Sequence, residues 1–176
     1  MNSVELHSPQ HRRQTGLTIV EIMVALAVAS ILIGLALPAF NNFIAQRSLT
    51  AQVNDFMVAL QYARSEAGRR GTTVSVQAND PSSPTDEWGP GWCVVVGGAG
   101  ACDGTELRLF PTTGANTLDG TGAMDGVATL TFNSRGLLTN GVGGAFDLCR
   151  AGETVGRRVV ISTIGRVSSQ PKTDCP

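Results

Sequence analysis

The chain has 176 residues, 42% of them hydrophobic, and a formal net charge of −1. That is enough for one domain and an additional segment. Its two histidines, His7 and His11, both precede Gly16, and Lys172 is its single lysine. Downstream of Gly16 this excludes Ser-His-Asp and Cys-His catalysis and histidine-ligated metals. A phosphate-binding P-loop and Schiff-base chemistry on a buried lysine are excluded as well. The chain therefore reads as a non-enzyme with no cofactor and no metal.

Residues 1–16 are polar, carry Arg12 and Arg13, and end in Gly16. From Leu17 to Leu37 only Thr18, Glu21 and Ser30 are polar, which makes a helix of membrane-spanning length. A cleaved secretory signal would also have a basic start and an apolar stretch. Glu21 interrupts that stretch, however, and Ala36-Leu37-Pro38 is the nearest approach to a small-residue cleavage site. The two arginines before the span place the N-terminus in the cytoplasm and everything after Phe40 outside it. Gly34 and Pro38 fall near the end of the span. Proline lacks the N–H and clashes one turn back, so a kink is expected there, either at the membrane exit or as a segment able to unwind.

Beyond Phe40 the pattern becomes amphipathic. Leu49, Val53, Phe56, Leu60, Ala63 and Ala67 recur at steps of three and four, while Arg47, Gln52, Asp55 and Glu66 fall off that stripe. The helix is expected to continue to Arg70, where Gly71 stops it. Residues 17–70 as one helix would measure roughly 80 Å. Strand patterns follow at 72–77, 92–96, 106–110, 128–132, 145–149 and 158–162, separated by turn-rich stretches at 79–91, 97–104 and 112–126. The result is an α+β fold: a long N-terminal helix, transmembrane in its first half and amphipathic in its second, packed on antiparallel sheet.

All four cysteines lie in the exported part, where disulfides persist. Four cysteines allow three pairings. Cys93–Cys102 and Cys149–Cys175 are expected, because each joins neighbouring segments. Asp80, Asp86 and Glu87 share one loop without EF-hand spacing and read as a solvated acidic loop. Residues 80–147 hold two arginines against eight carboxylates. Residues 150–176 hold Arg150, Arg157, Arg158, Arg166 and Lys172 against two, a modest basic tail.

Residues 16–21 are the best candidate site. Thr18-x-x-Glu21 fits a capping box. Glu21 could alternatively lie at headgroup level, or neutralise a cation within an apolar assembly, since a carboxylate inside a bilayer costs about 2.5–3.5 kcal/mol and is usually paired. Cleavage after Gly16 would create an α-amine on Leu17, one helical turn from Glu21. The three readings use the same helix end and are compatible.

Gly16-Leu17-Thr18-Ile19-Val20-Glu21, the apolar helix and Pro38 resemble the signal of type IV pilins and type II secretion pseudopilins. Residues 60–67, Gly91-Trp92-Cys93-Val94-Val95, residues 132–136 and residues 161–167 resemble the GspH/FimT family of minor pilins. Leu17 departs from the usual Phe or Met. The resemblance implies three segments: a leader, 1–16, removed by a prepilin peptidase; a filament-core helix, 17–40; and a periplasmic or extracellular globular domain, 41–176. It implies cleavage between Gly16 and Leu17 and N-methylation of Leu17. Assembly with other minor and major pilins, or pseudopilins, by an inner-membrane machine follows from it. So does an assembly role for Thr18 and Glu21, in a low-copy subunit that helps initiate or cap a filament. It also implies a possible DNA contact through a Gly-Arg-x-Arg motif. Here that motif is Gly165-Arg166-Val167-Ser168, lacking the second arginine, with Arg157, Arg158 and Lys172 as compensating cations.

Overall fold

The computed structural model describes residues 16, 18–83, 85–97, 100–111, 113–139 and 141–175. The chain divides into two compact units at Asn42/Phe43.

Helix α1 is Ile19–Arg70. It starts two residues later than the apolar run suggests, because Thr18 acts as its cap: the Glu21 N–H donates to Thr18 Oγ1 at 3.2 Å. In the first unit the apolar side chains from Ile19 to Leu37 are exposed on every side, and this stretch is long and apolar enough to cross a membrane. Gly34 and Pro38 both lie within α-helix. In the second unit the expected stripe is buried: Leu49, Val53, Phe56, Leu60, Ala63 and Ala67, joined by Ala59. Gly71 ends the helix with φ of 67°, and its N–H closes on the Ala67 carbonyl at 3.0 Å.

Among the described residues two four-stranded antiparallel sheets follow. The first has order β3-β2-β1-β5, formed by β1 Val74–Ala78, β2 Trp92–Val96, β3 Thr105–Phe110 and β5 Thr129–Phe132. The second has order β4-β6-β7-β8, formed by β4 Asn116–Thr121, β6 Gly144–Arg150, β7 Gly156–Ile161 and β8 Val167–Lys172. Phe56 of α1 sits where the helix meets both sheets. Its ring centroid lies 5.2 Å from each of Trp88, Trp92 and Phe146, all three edge-on. Trp92 belongs to the first sheet and Phe146 to the second, so one helical side chain joins the two layers.

Two strands correct the sequence reading. β4 lies within the stretch expected to be a turn, because of its three inward positions only Leu118 is apolar. Asn116 is inward too, but it reaches the helix through hydrogen bonds: its Nδ2 donates to Gln52 Oε1 at 2.6 Å. Gln52, placed off the buried stripe, also donates to the Thr113 carbonyl at 2.8 Å. β8 occupies the tail that read as a basic patch. Pro171 is tolerated there because β8 is an edge strand.

Cys93 and Cys102 are disulfide-bonded with Cα atoms 5.9 Å apart, as are Cys149 and Cys175 at 5.7 Å. The first bond ties the β2–β3 connection back to β1: the Cys102 N–H donates to Oε1 of the buried Gln77 at 3.1 Å. The second holds the chain end beside β6.

Three charged residues are more buried than the sequence suggests. Glu66, off the stripe by periodicity, is 7% exposed. It accepts from Arg69 Nη2 at 2.7 Å and Arg70 Nε at 2.6 Å, and these bonds hold its carboxyl down at about 2. Glu87, assigned to a solvated loop, is 2% exposed. Lys172 is buried, but hydrogen bonds to Asp174 and Asp147 raise its pKa, so it stays protonated and is no nucleophile.

Candidate assembly site

The start of α1 gathers Thr18 and Glu21 on one turn. Thr18 satisfies one of the amides that a helix start leaves free, its Oγ1 taking the Glu21 N–H, while its carbonyl accepts the first helical bond, from the Ile22 N–H at 3.2 Å. Glu21 lies in the first turn, where a negative charge interacts favourably with the helix dipole. Gly16 is exposed and outside the helix, so its backbone is reachable. Leu17 and the leader residues 1–15 lie outside the described residues.

From Glu21 onward the helix presents apolar side chains all round. Ile19, Val20, Met23, Leu26, Ile31, Leu32 and Leu35 are each at least 61% exposed. Nothing within the first unit covers them, so this surface requires lipid or other apolar helices. A carboxylate one turn inside such a surface would need a cationic partner there.

The expected DNA residues are not brought together. Arg157 and Arg158 are adjacent on β7 and point to opposite faces. Arg157 Nη2 reaches Thr50 Oγ1 of α1 at 3.3 Å. Arg158 lies on the other face and forms a bidentate pair with Asp147 at 2.6 and 2.7 Å. Lys172 Nζ also contacts Asp147, at 3.1 Å, and Asp174 at 2.7 Å. Two of the four cations are thereby neutralised. Arg166 is exposed on the β7–β8 turn, where Gly165 adopts φ of 75° as the turn requires.

Arg166 has different neighbours from those expected. Arg64 Nη1 donates to the Gly165 carbonyl at 3.1 Å. Arg64 and Arg135 line a cavity of about 340 Å³ together with Gln61, Ser65 and Ser134. Sequence reading missed Arg64 and Arg135 because they lie 102 and 31 residues from Arg166 in the chain. It missed Asp147 because only the β6–β7 register sets Asp147 opposite Arg158. Asp147→Ala would remove the bidentate partner of Arg158 and leave the buried Lys172 with only the exposed Asp174 as its ion-pair partner. A loss of about 2 kcal/mol is expected, measurable as a lower midpoint in urea unfolding.

A capped, all-round apolar N-terminal helix continuing into an α+β domain defines the pilin class of filament subunit. Residues 11–37 match the prokaryotic N-terminal methylation motif, and residues 52–165 match the family described as "Type II transport protein GspH". The chain belongs to this GspH family. Two crystal structures of the type IV minor pilin FimU of Pseudomonas aeruginosa (strain PAO1) are similar to it. One is 28% identical with a TM-score of 0.61, covering 76% of this chain and 96% of that one. The other is 30% identical with a TM-score of 0.59, covering 73% and 97%. No curated protein sequence matches the chain. The family consists of structural subunits. The methylation motif implies processing by a prepilin peptidase, an inner-membrane anchor and assembly with other pilins.

Proposed function

We propose that this chain is a minor type IV pilin. It would be cut between Gly16 and Leu17, N-methylated on Leu17, and held in the inner membrane by residues 17–40 with the globular domain outside the cytoplasm. It would then be drawn into a filament that it helps to initiate or cap. The observation that carries this reading is the apolar surface of Ile19–Leu37, exposed on every side and preceded by the Thr18 cap and Glu21. Similarity to FimU over nearly all of that protein's crystallised chain supports the pilus. Gly34 and Pro38 are the proposed point of extension on filament entry, since a proline-weakened turn has least helix to lose.

Deleting the gene should abolish surface filaments recovered by shearing, and the intact gene should restore them. The second reading is a minor pseudopilin of a type II secretion system, favoured by the family's own description. In that case deletion would leave filaments intact and strand secreted enzymes in the periplasm.

Glu21 is proposed to neutralise the amine of Leu17, its own or a neighbour's. Glu21→Ala is expected to leave cleavage largely intact and to reduce incorporation at least tenfold, read by immunoblot of sheared filaments. Normal recovery would remove the pairing role.

A DNA role finds less support. Arg158 and Lys172 are held by Asp147, and what remains of the four is Arg157, turned toward Thr50 of α1, and the exposed Arg166. Duplex binding uses cations spread along a phosphate track.

A further inference from the structure

Residues 79–91 connect β1 to β2, and among the described ones Asp86 and Trp88 bond to β4, an edge strand of the second sheet. The Trp88 N–H donates to the Leu118 carbonyl at 3.1 Å, and the Leu118 N–H donates to Asp86 Oδ1 at 2.7 Å. Trp88 Nε1 donates to the Val127 carbonyl at 2.9 Å, and its ring is fully buried.

Glu87 lies between those two anchoring residues. Neither of its carboxyl oxygens meets a donor among the described residues, and neither does Asp119 Oδ1 of β4. The bonds of Trp88 and Asp86 to Leu118 set Glu87 beside Asp119, the next residue of β4, and the two carboxyls are in hydrogen-bond contact. Two ionised carboxylates at this separation repel strongly, whereas one shared proton turns the repulsion into a hydrogen bond.

Among the described residues the surroundings supply no free cation. Asp86 precedes Glu87, and burial pushes its own pKa up. Asp125, after the 3₁₀ turn Gly122–Met124, adds repulsion. On β6, Asp147 lies directly opposite Asp119, but its charge is taken by Arg158 of β7 and Lys172 of β8. Lys172 is shared further with Asp174. A cavity of about 220 Å³ lined by Thr85, Asp147 and Lys172 borders Asp119. Burial, the hydrogen bond to Glu87 and repulsion from Glu87 and Asp125 push Asp119 up to about 7.

We propose that the proton shared by Glu87 and Asp119 is a pH-operated latch that holds residues 79–91 over the β4 edge. Opening solvates the pair, and Asp119 then titrates in the ordinary carboxyl range near 4. The closed state keeps one proton up to about 7. Between these limits the closed state binds more protons, so raising the pH favours opening by up to tenfold per unit. Above the upper limit both states have lost the proton and the dependence levels off. The latch is a property of the folded domain and stands or falls independently of the filament role.

The test is hydrogen exchange of residues 79–91 in the full chain in detergent micelles at pH 5 and pH 8, corrected for intrinsic exchange rates. Wild-type protection should fall more than tenfold between the two. Glu87→Gln and Asp119→Asn each supply a permanent amide donor to the remaining carboxylate. Either variant should keep the closed-state protection at pH 8 and change less than threefold across the range. Wild-type protection independent of pH would overturn the latch, as would either folded variant retaining the wild-type slope. Restoration of wild-type protection at pH 8 by millimolar calcium chloride would also overturn it, by showing that a cation bridges the pair.

Discussion

Gly16→Val is expected to leave the chain at its full length and out of filaments, the largest functional effect of any single substitution here. Gly16 stands exposed and outside helix, two residues before the Thr18 cap. A peptidase acting next to it must approach the backbone closely, and a β-branched side chain restricts that backbone and fills the space beside it. An uncut leader would also leave charged residues ahead of a helix that must enter an apolar assembly. Immunoblots of membranes and sheared filaments would read the result. A shorter, mature-sized species from the Gly16→Val gene would refute the assignment of the junction to a prepilin peptidase. The globular domain should be unaffected, because its core begins at Ala45.

Phe56→Ala is expected to give the largest loss of stability. Phe56 is fully buried and lies edge-on to Trp88, Trp92 and Phe146. Truncation removes one ring from three aromatic contacts and leaves a cavity between the helix and both sheets. Such changes cost about 3–5 kcal/mol, or roughly 10 °C or more in the unfolding midpoint for a domain of this size. Thermal unfolding followed by tryptophan fluorescence would measure it directly, since Trp88 and Trp92 are the chain's two tryptophans and both face the lost ring. A midpoint within 2 °C of wild type would mean that the sheets hold together without the helix. Processing at Gly16 should continue in this variant, which separates a folding defect from a processing defect.

Periodicity made the helix legible. From Leu17 the apolar residues occur without a polar face, and from Leu49 they recur on one face, so the change of environment along a single helix is written in spacing alone. The helix stop at Gly71 and six of the eight strands follow from equally local signals. β4 and β8 do not. Asn116 is held inward by Gln52 and Ser48, residues 64 and 68 positions away, and β8 is held as an edge by pairing with β7. Their strand character is supplied by partners, and alternation of apolar residues is too weak in either to reveal it.

The charged residues divide in the same way. Thr18 and Glu21 lie within one turn of helix, so their spacing is sufficient to expose the cap and the proposed assembly carboxylate. Arg157 and Arg158 are neighbours in sequence and were grouped for that reason, yet a strand sends consecutive side chains to opposite faces. One goes to α1 and the other to Asp147. Arg64 and Arg135 line one cavity, and Arg64 reaches the Gly165 carbonyl, only because the helix end and two turns meet.

The sequence by itself determined the N-terminal methylation motif, the apolar helix and the α+β class. All of these depend on composition or on residues within a few turns of each other. Only the tertiary structure decided which charges are free. It neutralised Arg158 and Lys172 on Asp147 and pressed the Glu87 and Asp119 carboxyls together. Ionic and proton-sharing contacts are set by strand register and by burial, and both are products of the whole packed domain.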